Sequence, residues 1–257
     1  MRRGDNEQAA KLFEQALKLK PNSAEYHYHL GGAYGNQAQK AGMFGGLGLA
    51  KKSKAELERA VQLDPNYLEA RFALIDFLSI APGIVGGSME KALEHAAEIK
   101  KRDAIDGHRA YGRIYTRQKK TDLARKEYVD AVRENPNSPK AHYFLGNFLV
   151  NEKDWSGSLH EYEYAIKLDP AYMPPWFRIG YHATKSESNY ARGEESLRKY
   201  LGHTPADDEP SLASAWYYLG MLQEKQGKKA EARQSYGNAL KLAPASKDVS
   251  EALKRVS

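Results

Sequence analysis

Two prolines, Pro136 and Pro170, stand 34 residues apart, and each closes the same apolar pattern. The stretch from Ile105 to Pro136 carries His108, Tyr111, Gly112 and Tyr115, then Ala124, Tyr128 and Ala131 before its proline. The next stretch carries His142, Leu145, Gly146 and Leu149, then Ser158, Tyr162, Ala165 and Pro170. Among the small-residue slots only the alanine ahead of the aromatic has changed, to Ser158. A pattern that returns at a fixed period commits a chain to stacking copies of one small unit, because a single copy cannot bury its apolar face alone.

The same template finds Trp176, Ile179, Gly180, Leu197 and Pro205, and then Trp216, Leu219, Gly220, Ala232, Tyr236, Ala239 and Pro244. Upstream it finds Leu30, Gly31, Tyr34, Leu57, Ala60 and Pro65. The copy between Asn66 and Arg102 matches least: Leu74 and Leu78 fit, Ile75 replaces the glycine and no proline closes it. Ala92, Ala96 and Ile99 still supply its second stripe.

Each slot has a physical reason. Apolar residues at spacings of three and four share one helical face. Glycine or alanine lets paired helices approach, large residues fill the gap, and proline opens the next unit where it removes no internal hydrogen bond. Turns such as Glu152-Lys153-Asp154 and Gln226-Gly227-Lys228-Lys229 separate the helices.

This pattern resembles the tetratricopeptide repeat, a 34-residue helix–turn–helix family, over nearly the whole chain. The resemblance implies an all-α fold, a right-handed superhelical solenoid of antiparallel helix pairs. The repeats are expected at 1–21 (second helix only), 24–65, 68–102, 105–136, 139–170, 173–205 and 213–244, with a capping helix over 246–257. The 257 residues then form one elongated domain.

No run of about 18 apolar residues is present to cross a membrane. Arg3-Gly4-Asp5-Asn6 reads as a turn inside a repeat, so the natural protein is expected to extend upstream, where an export signal could have been removed. The chain has no cysteine, which rules out disulfides and thiolate chemistry. The expected setting is soluble, an extracytoplasmic bacterial compartment being slightly favoured over the cytoplasm.

Two insertions fall between the first and second helices of consecutive repeats. One is Gly42-Met43-Phe44-Gly45-Gly46-Leu47-Gly48, where Pro21 to Pro65 spans 44 residues, ten more than the period; the other is Ala81 to Ser88, with Ser88 a candidate N-cap. Met43, Phe44, Leu47, Ile84 and Val85 are expected to be neighbours, as packing residues or as a contact patch. The second loop lacks the Gly-Lys-Ser/Thr ending of a phosphate-binding loop.

In the family that the pattern resembles, first helices line a concave groove that accepts a peptide. The register assigns it Tyr28, Asn36, Phe72, Arg109, Arg113, Arg117, Tyr143, Asn147, Asn151, Phe177, Tyr181, Lys185 and Tyr217. Arg109, Arg113 and Arg117 recur every four residues along one stripe. Arginine forms paired bonds to carboxylates and asparagine bonds a peptide backbone from either side, so an extended acidic segment is the expected ligand. The competing account pairs the three arginines with intrachain acids such as Asp106 or Glu127. A chaperone-tail clamp is not supported, since Phe144 stands where such clamps carry asparagine.

No catalytic, metal or cofactor site is identified. His27 and His29 lie on different sides of a helix, no His-Glu-x-x-His occurs, and Asp207-Asp208-Glu209 reads as a solvated linker. His108 and His142, in one slot of consecutive repeats, read as core or interface residues. The formal net charge of +6 admits RNA, but 33 acidic residues and the lack of dense basic runs weigh against it. The expected function is a non-enzymatic protein–protein interaction scaffold. The alternatives are an architectural subunit docking by its edge and glycine-rich loops, or an RNA-binding helical repeat.

Overall fold

The computed structural model describes residues 3–206 and 209–257, with side chains from Asn6 onward except at 43 and 44. Asp207, Asp208 and the side chains of Arg3, Asp5, Met43 and Phe44 lie outside the described residues. The chain divides into two compact units, up to Ala131 and from Val132.

The first unit holds α1 (Arg3–Leu19), α2 (Ala24–Gly45), α3 (Leu47–Leu63), α4 (Leu68–Ile80), α5 (Met89–Lys100), α6 (Ala104–Arg117) and most of α7 (Thr121–Glu134). The second holds α8 (Pro139–Asn151), α9 (Trp155–Leu168), α10 (Pro174–Ser186), α11 (Tyr190–Leu201), α12 (Leu212–Lys225), α13 (Lys229–Leu242) and α14 (Lys247–Arg255). No strand occurs among the described residues. The fold is all-α, built of antiparallel helix pairs.

Side-chain caps explain where most first helices begin. Ser23, Ser138 and Ser211 accept from the backbone N–H three residues on, as Asp103 does for α6 and Ser246 for α14. Each such cap satisfies an otherwise orphaned donor and contributes ~1 kcal/mol. A second device recurs six residues after the proline. His27 Nε2 lies 3.0 Å from the Pro21 carbonyl, Arg71 donates to that of Pro65 at 2.8 Å, His142 Nε2 lies 3.0 Å from Pro136 O, and Trp176 donates to Pro170 at 3.1 Å. Different side chains thus tie α2, α4, α8 and α10 to the carbonyl of the proline that precedes each.

Close helix approach follows from the glycine slot. A Cβ on Gly112, Gly146 or Gly220 would lie 2.6 Å from the ring of Tyr128, Tyr162 or Tyr236, and on Gly180 it would lie 2.2 Å from Leu197. Gly35 faces Ser53 while Gly31, one turn earlier, faces Leu57, one turn later, so α2 and α3 run antiparallel. Where Ile75 replaces the glycine, the size relation is inverted: Ile75 is fully buried in one cluster with the small, equally buried Ala92 and Ala96 of α5. Burying a residue such as Leu74 or Ile75 is worth ~1.5–3 kcal/mol, so each pair draws its stability from these local clusters.

The structure corrects two expectations. Helix α1 begins at Arg3, so Gly4 and Asp5 occupy its first turn, where helices tolerate both residue types, and not a turn between helices. The first insertion is largely helical and not a loop. α2 runs through to Gly45 with a kink at Gly42 (φ 73°, ψ −173°), a conformation that only glycine adopts without strain, and α3 starts at Leu47. The ten extra residues lengthen both helices, to 22 and 17 residues against 12 to 14 in α4 to α13. The second insertion is a short 3-10 turn, Gly83–Val85, followed by Ser88, whose hydroxyl caps α5 at Lys91 N.

The C-terminal helix α14 seals the second unit. Ala252 and Val256 share a cluster with Ala232 and Tyr236, and Arg255 donates twice to Glu224, at 3.2 Å each. Glu224 also accepts from Tyr236 at 2.6 Å.

Candidate interaction surface

In the first unit, α6 buries His108, Ala110, Gly112 and Ile114 and leaves Arg109, Arg113 and Arg117 on its accessible side, with 32, 31 and 42 % of their side chains exposed. Phe72 on α4 lies beneath them: the guanidinium carbons of Arg109 and Arg113 stand 4.5 and 5.2 Å from its ring centre. This stacking fixes two flexible side chains by cation–π attraction.

Carboxylates of the chain meet the trio. Arg113 donates to Asp76 of α4, Arg117 lies 3.6 Å from the other oxygen of Asp76, and Arg109 lies 3.6 Å from Asp106. Intrachain pairing is therefore real at Asp106, while Glu127 is taken by His108, at 2.8 Å from its Nδ1. His142 stands in the same relation to Glu161. Both histidines are buried.

Tyr28 is half-buried, with its ring 5.2 Å from that of Tyr67 in an edge-on contact, and burial, helped by the charge of Glu69, pushes its phenol up. Asn36 is exposed and lines a cavity of about 580 Å³ between α2, α3 and α4. Leu47 and Val85 line that cavity too, so the two insertions do meet there, whereas Ile84 is 72 % exposed. Met43 and Phe44 fall outside the described side chains.

In the second unit the expected residues divide into three groups. Tyr143 packs edge-on against Tyr172 at 5.8 Å, and Asn147 accepts from the Tyr162 hydroxyl at 2.9 Å, which uses one of the two lone pairs of its side-chain carbonyl; Asn151 is exposed. Phe177 is buried between Tyr200 and Tyr218, and Tyr181 meets Tyr218 edge-on at 5.2 Å with Lys185 over its face at 5.5 Å. Tyr217 packs with Tyr236 on the cluster that contains Ala252 and Val256 of α14.

One residue escaped the sequence reading. Arg178 of α10 lies 5.8 Å over Tyr181 and within reach of Tyr143 and Tyr162, and its Nε is buried without a hydrogen-bond acceptor. Burial works against its charge, and the phenols of Tyr143, Tyr162 and Tyr181 outweigh that penalty. The signal was available: 110, 144 and 178 fall at 34-residue steps, each two residues ahead of the slot glycine, and the first two are buried Ala110 and Phe144.

Family models described as TPR repeat and as tetratricopeptide repeat match residues 1–37, and 108–172 and 213–246, respectively. The chain belongs to the tetratricopeptide-repeat family. It is similar to the general transcriptional corepressor ssn6 of Schizosaccharomyces pombe, 25% identical over 130 residues, covering 51% of this chain and 11% of that protein. It is similar also to protein O-mannosyl-transferase TMTC1 of Homo sapiens, 25% identical over 257 residues, covering 98% of this chain and 23% of the relative. The chain thus spans less than a quarter of the length of these curated relatives.

Among solved structures, the APC/C hetero-tetramer Cut9-Hcn1 matches with a TM-score of 0.56 at 13% identity, over 98% of this chain and 46% of that one. The human IFIT1 dimer with PPP-AAAA matches with a TM-score of 0.58 at 19% identity, over 98% and 58%. MamA from Desulfovibrio magneticus RS-1 matches with a TM-score of 0.53 at 21% identity, over 60% and 84%. These likenesses are of fold. No described helix is long and apolar enough to cross a membrane.

Proposed function

We propose that this chain is a non-enzymatic protein-interaction scaffold whose first-helix faces receive an extended, acidic peptide segment of a partner. Membership of a repeat family that presents helix faces to other proteins supports the general reading. The observation that carries the specific one is the α6 face: three partly exposed arginines, two of them held over the Phe72 ring, opposite a helix side that buries His108, Ala110, Gly112 and Ile114.

Asp76 is central to how this face would work. It pairs with Arg113 and Arg117 and holds their side chains in place, so the rotamer entropy of two long residues is already spent before a ligand arrives. An incoming carboxylate competes with Asp76 for the same donors, which favours ligands carrying more than one acid and weakens neutral ones. Tyr28 and Asn36 add contact area and backbone bonding in the first unit; Tyr143, Asn147, Asn151, Tyr181, Lys185 and Tyr217 are the corresponding residues in the second, while Phe177 is buried and serves packing instead.

Selection of a random peptide library on the purified chain tests this. Enrichment of acidic sequences that Arg113→Glu abolishes is the expected result. Enrichment without acidic bias, or bias that survives Arg113→Glu, overturns the acidic-peptide reading.

A further inference from the structure

The Arg178 cluster remains unexplained by folding alone. Its slot is filled by Ala110 and Phe144 in the two preceding repeats, both buried and apolar. A partly desolvated guanidinium is an expensive replacement for either unless an anion completes it. Among the other arginines of this chain, Arg113 has Asp76 and Arg192 makes two 2.7 Å bonds to Glu163, while buried Arg71 is held by the Pro65 carbonyl at 2.8 Å and by His95 Nδ1 at 3.2 Å. Arg178 makes no ion pair among the described residues; it bonds the Tyr143 phenol and lies among Tyr162, Tyr181 and Tyr218, and its Nε has no acceptor.

We infer that Arg178, ringed by Tyr143, Tyr162, Tyr181 and Tyr218, is a recognition site for a single carboxylate of a bound peptide, either an acidic side chain or the chain terminus. The inference rests on the peptide-binding reading above and places an acid-selective contact in the second unit, apart from the Arg113 face. The guanidinium supplies charge and directed donors, and the phenol O–H of Tyr143, Tyr181 or Tyr218 can donate to the same carboxylate, that of Tyr162 being given to Asn147. The aromatic walls exclude water, which strengthens both.

The geometry favours a peptide over nucleic acid. Tyr181 meets Tyr218 edge-on, Tyr143 meets Tyr172 edge-on, and Arg178 and Lys185 both lie over Tyr181. These ring faces are already occupied, so they offer no platform for stacked bases, on which single-strand binding relies. Two cations also fall short of the row of charges that tracks a phosphate backbone.

The test selects the random peptide library in parallel on the wild-type chain, Arg178→Gln, Arg178→Lys and Arg113→Gln, with oligo(U) RNA and inorganic phosphate titrated against the wild type. The wild type should enrich peptides with an acid at a fixed position. Arg178→Gln should weaken those peptides about tenfold or more and Arg178→Lys less, while Arg113→Gln should lower overall affinity and shift the acid preference at other positions only. If acidic peptides are enriched but Arg178→Gln binds them equally well, or only loses stability, the inference fails and the peptide reading stands. If no peptide is enriched, both fail. Arg178-dependent binding of RNA without peptide binding assigns the cluster to nucleic acid and overturns the proposal. Tyr143→Phe, which keeps the ring and removes the hydroxyl, should weaken the peptides without unfolding the chain; an unchanged affinity removes the phenol from the site.

Discussion

Arg113 of α6 reaches Asp76 of α4, so the most regular stripe of positive charge in the sequence is held by an acid one repeat upstream. Both side chains are partly exposed, at 31 and 23 %, so solvent screens the pair. Asp76→Asn should therefore lower the stability of the chain by no more than about 1 kcal/mol, read from urea denaturation. A loss several times larger would mean that Asp76 supports the fold and not the presentation of the arginines.

The slot glycines give a sharper contrast. In Gly146→Ala the new methyl would sit 2.6 Å from the ring of Tyr162, which is fully buried and cannot swing away, so a loss of about 1–3 kcal/mol is expected. Gly32 lies in the interior of α2 with nothing within 4 Å of its missing Cβ. Gly32→Ala should stabilise by roughly 0.5–1 kcal/mol through helix propensity. Equal effects at the two positions would contradict the packing assignment.

Turn geometry repeats with the same period. Lys119, Lys153 and Glu187 have φ of 58°, 61° and 51° at 34-residue steps, and Gly227 (φ 75°) occupies the turn between α12 and α13. Left-handed backbone strains the three residues that carry a Cβ. Lys153→Gly should raise stability by about 1 kcal/mol in thermal or urea unfolding, and a loss would mean that the lysine side chain is itself anchored.

His142 should make stability depend on pH. Burial lowers its pKa, but the hydrogen bond to Glu161 and the Pro136 carbonyl prevail, and the net shift is upward. The folded state therefore holds the proton more tightly than the unfolded chain, whose histidine titrates near 6.5. The contribution is fully present below about pH 6.5 and is lost as pH rises through the elevated folded value. The stability difference between wild type and His142→Gln should shrink from pH 5.5 to pH 8.5. His182, with its pKa lowered by burial despite a bond to the Trp155 carbonyl, should show the opposite slope, its penalty growing as pH falls below about 6.5. Parallel profiles for the two variants would refute both assignments.

Fold class was legible because it rests on steric slots that repeat: Gly146 under Tyr162 follows from period and size alone. The insertion at Gly42 to Gly48 was not, since glycine-rich composition signals a loop, whereas one left-handed Gly42 was enough to kink a helix and let it continue. On the candidate surface, the α6 stripe was legible from four-residue spacing, whereas its pairing with Asp76 depends on how α4 packs beside α6. Arg178 was passed over because its slot is a packing slot elsewhere; a charged residue in a position its neighbours bury is the signal that periodicity offers once packing residues are set aside.

The most direct measurement is the affinity of one selected acidic peptide for the wild type, Asp76→Asn and Arg113→Glu, by calorimetry at two salt concentrations. Removing the competing carboxylate should tighten binding about fivefold, charge reversal should abolish it, and salt should weaken it. Unchanged affinity in Asp76→Asn together with undiminished binding by Arg113→Glu would contradict an arginine face that reads acidic peptides.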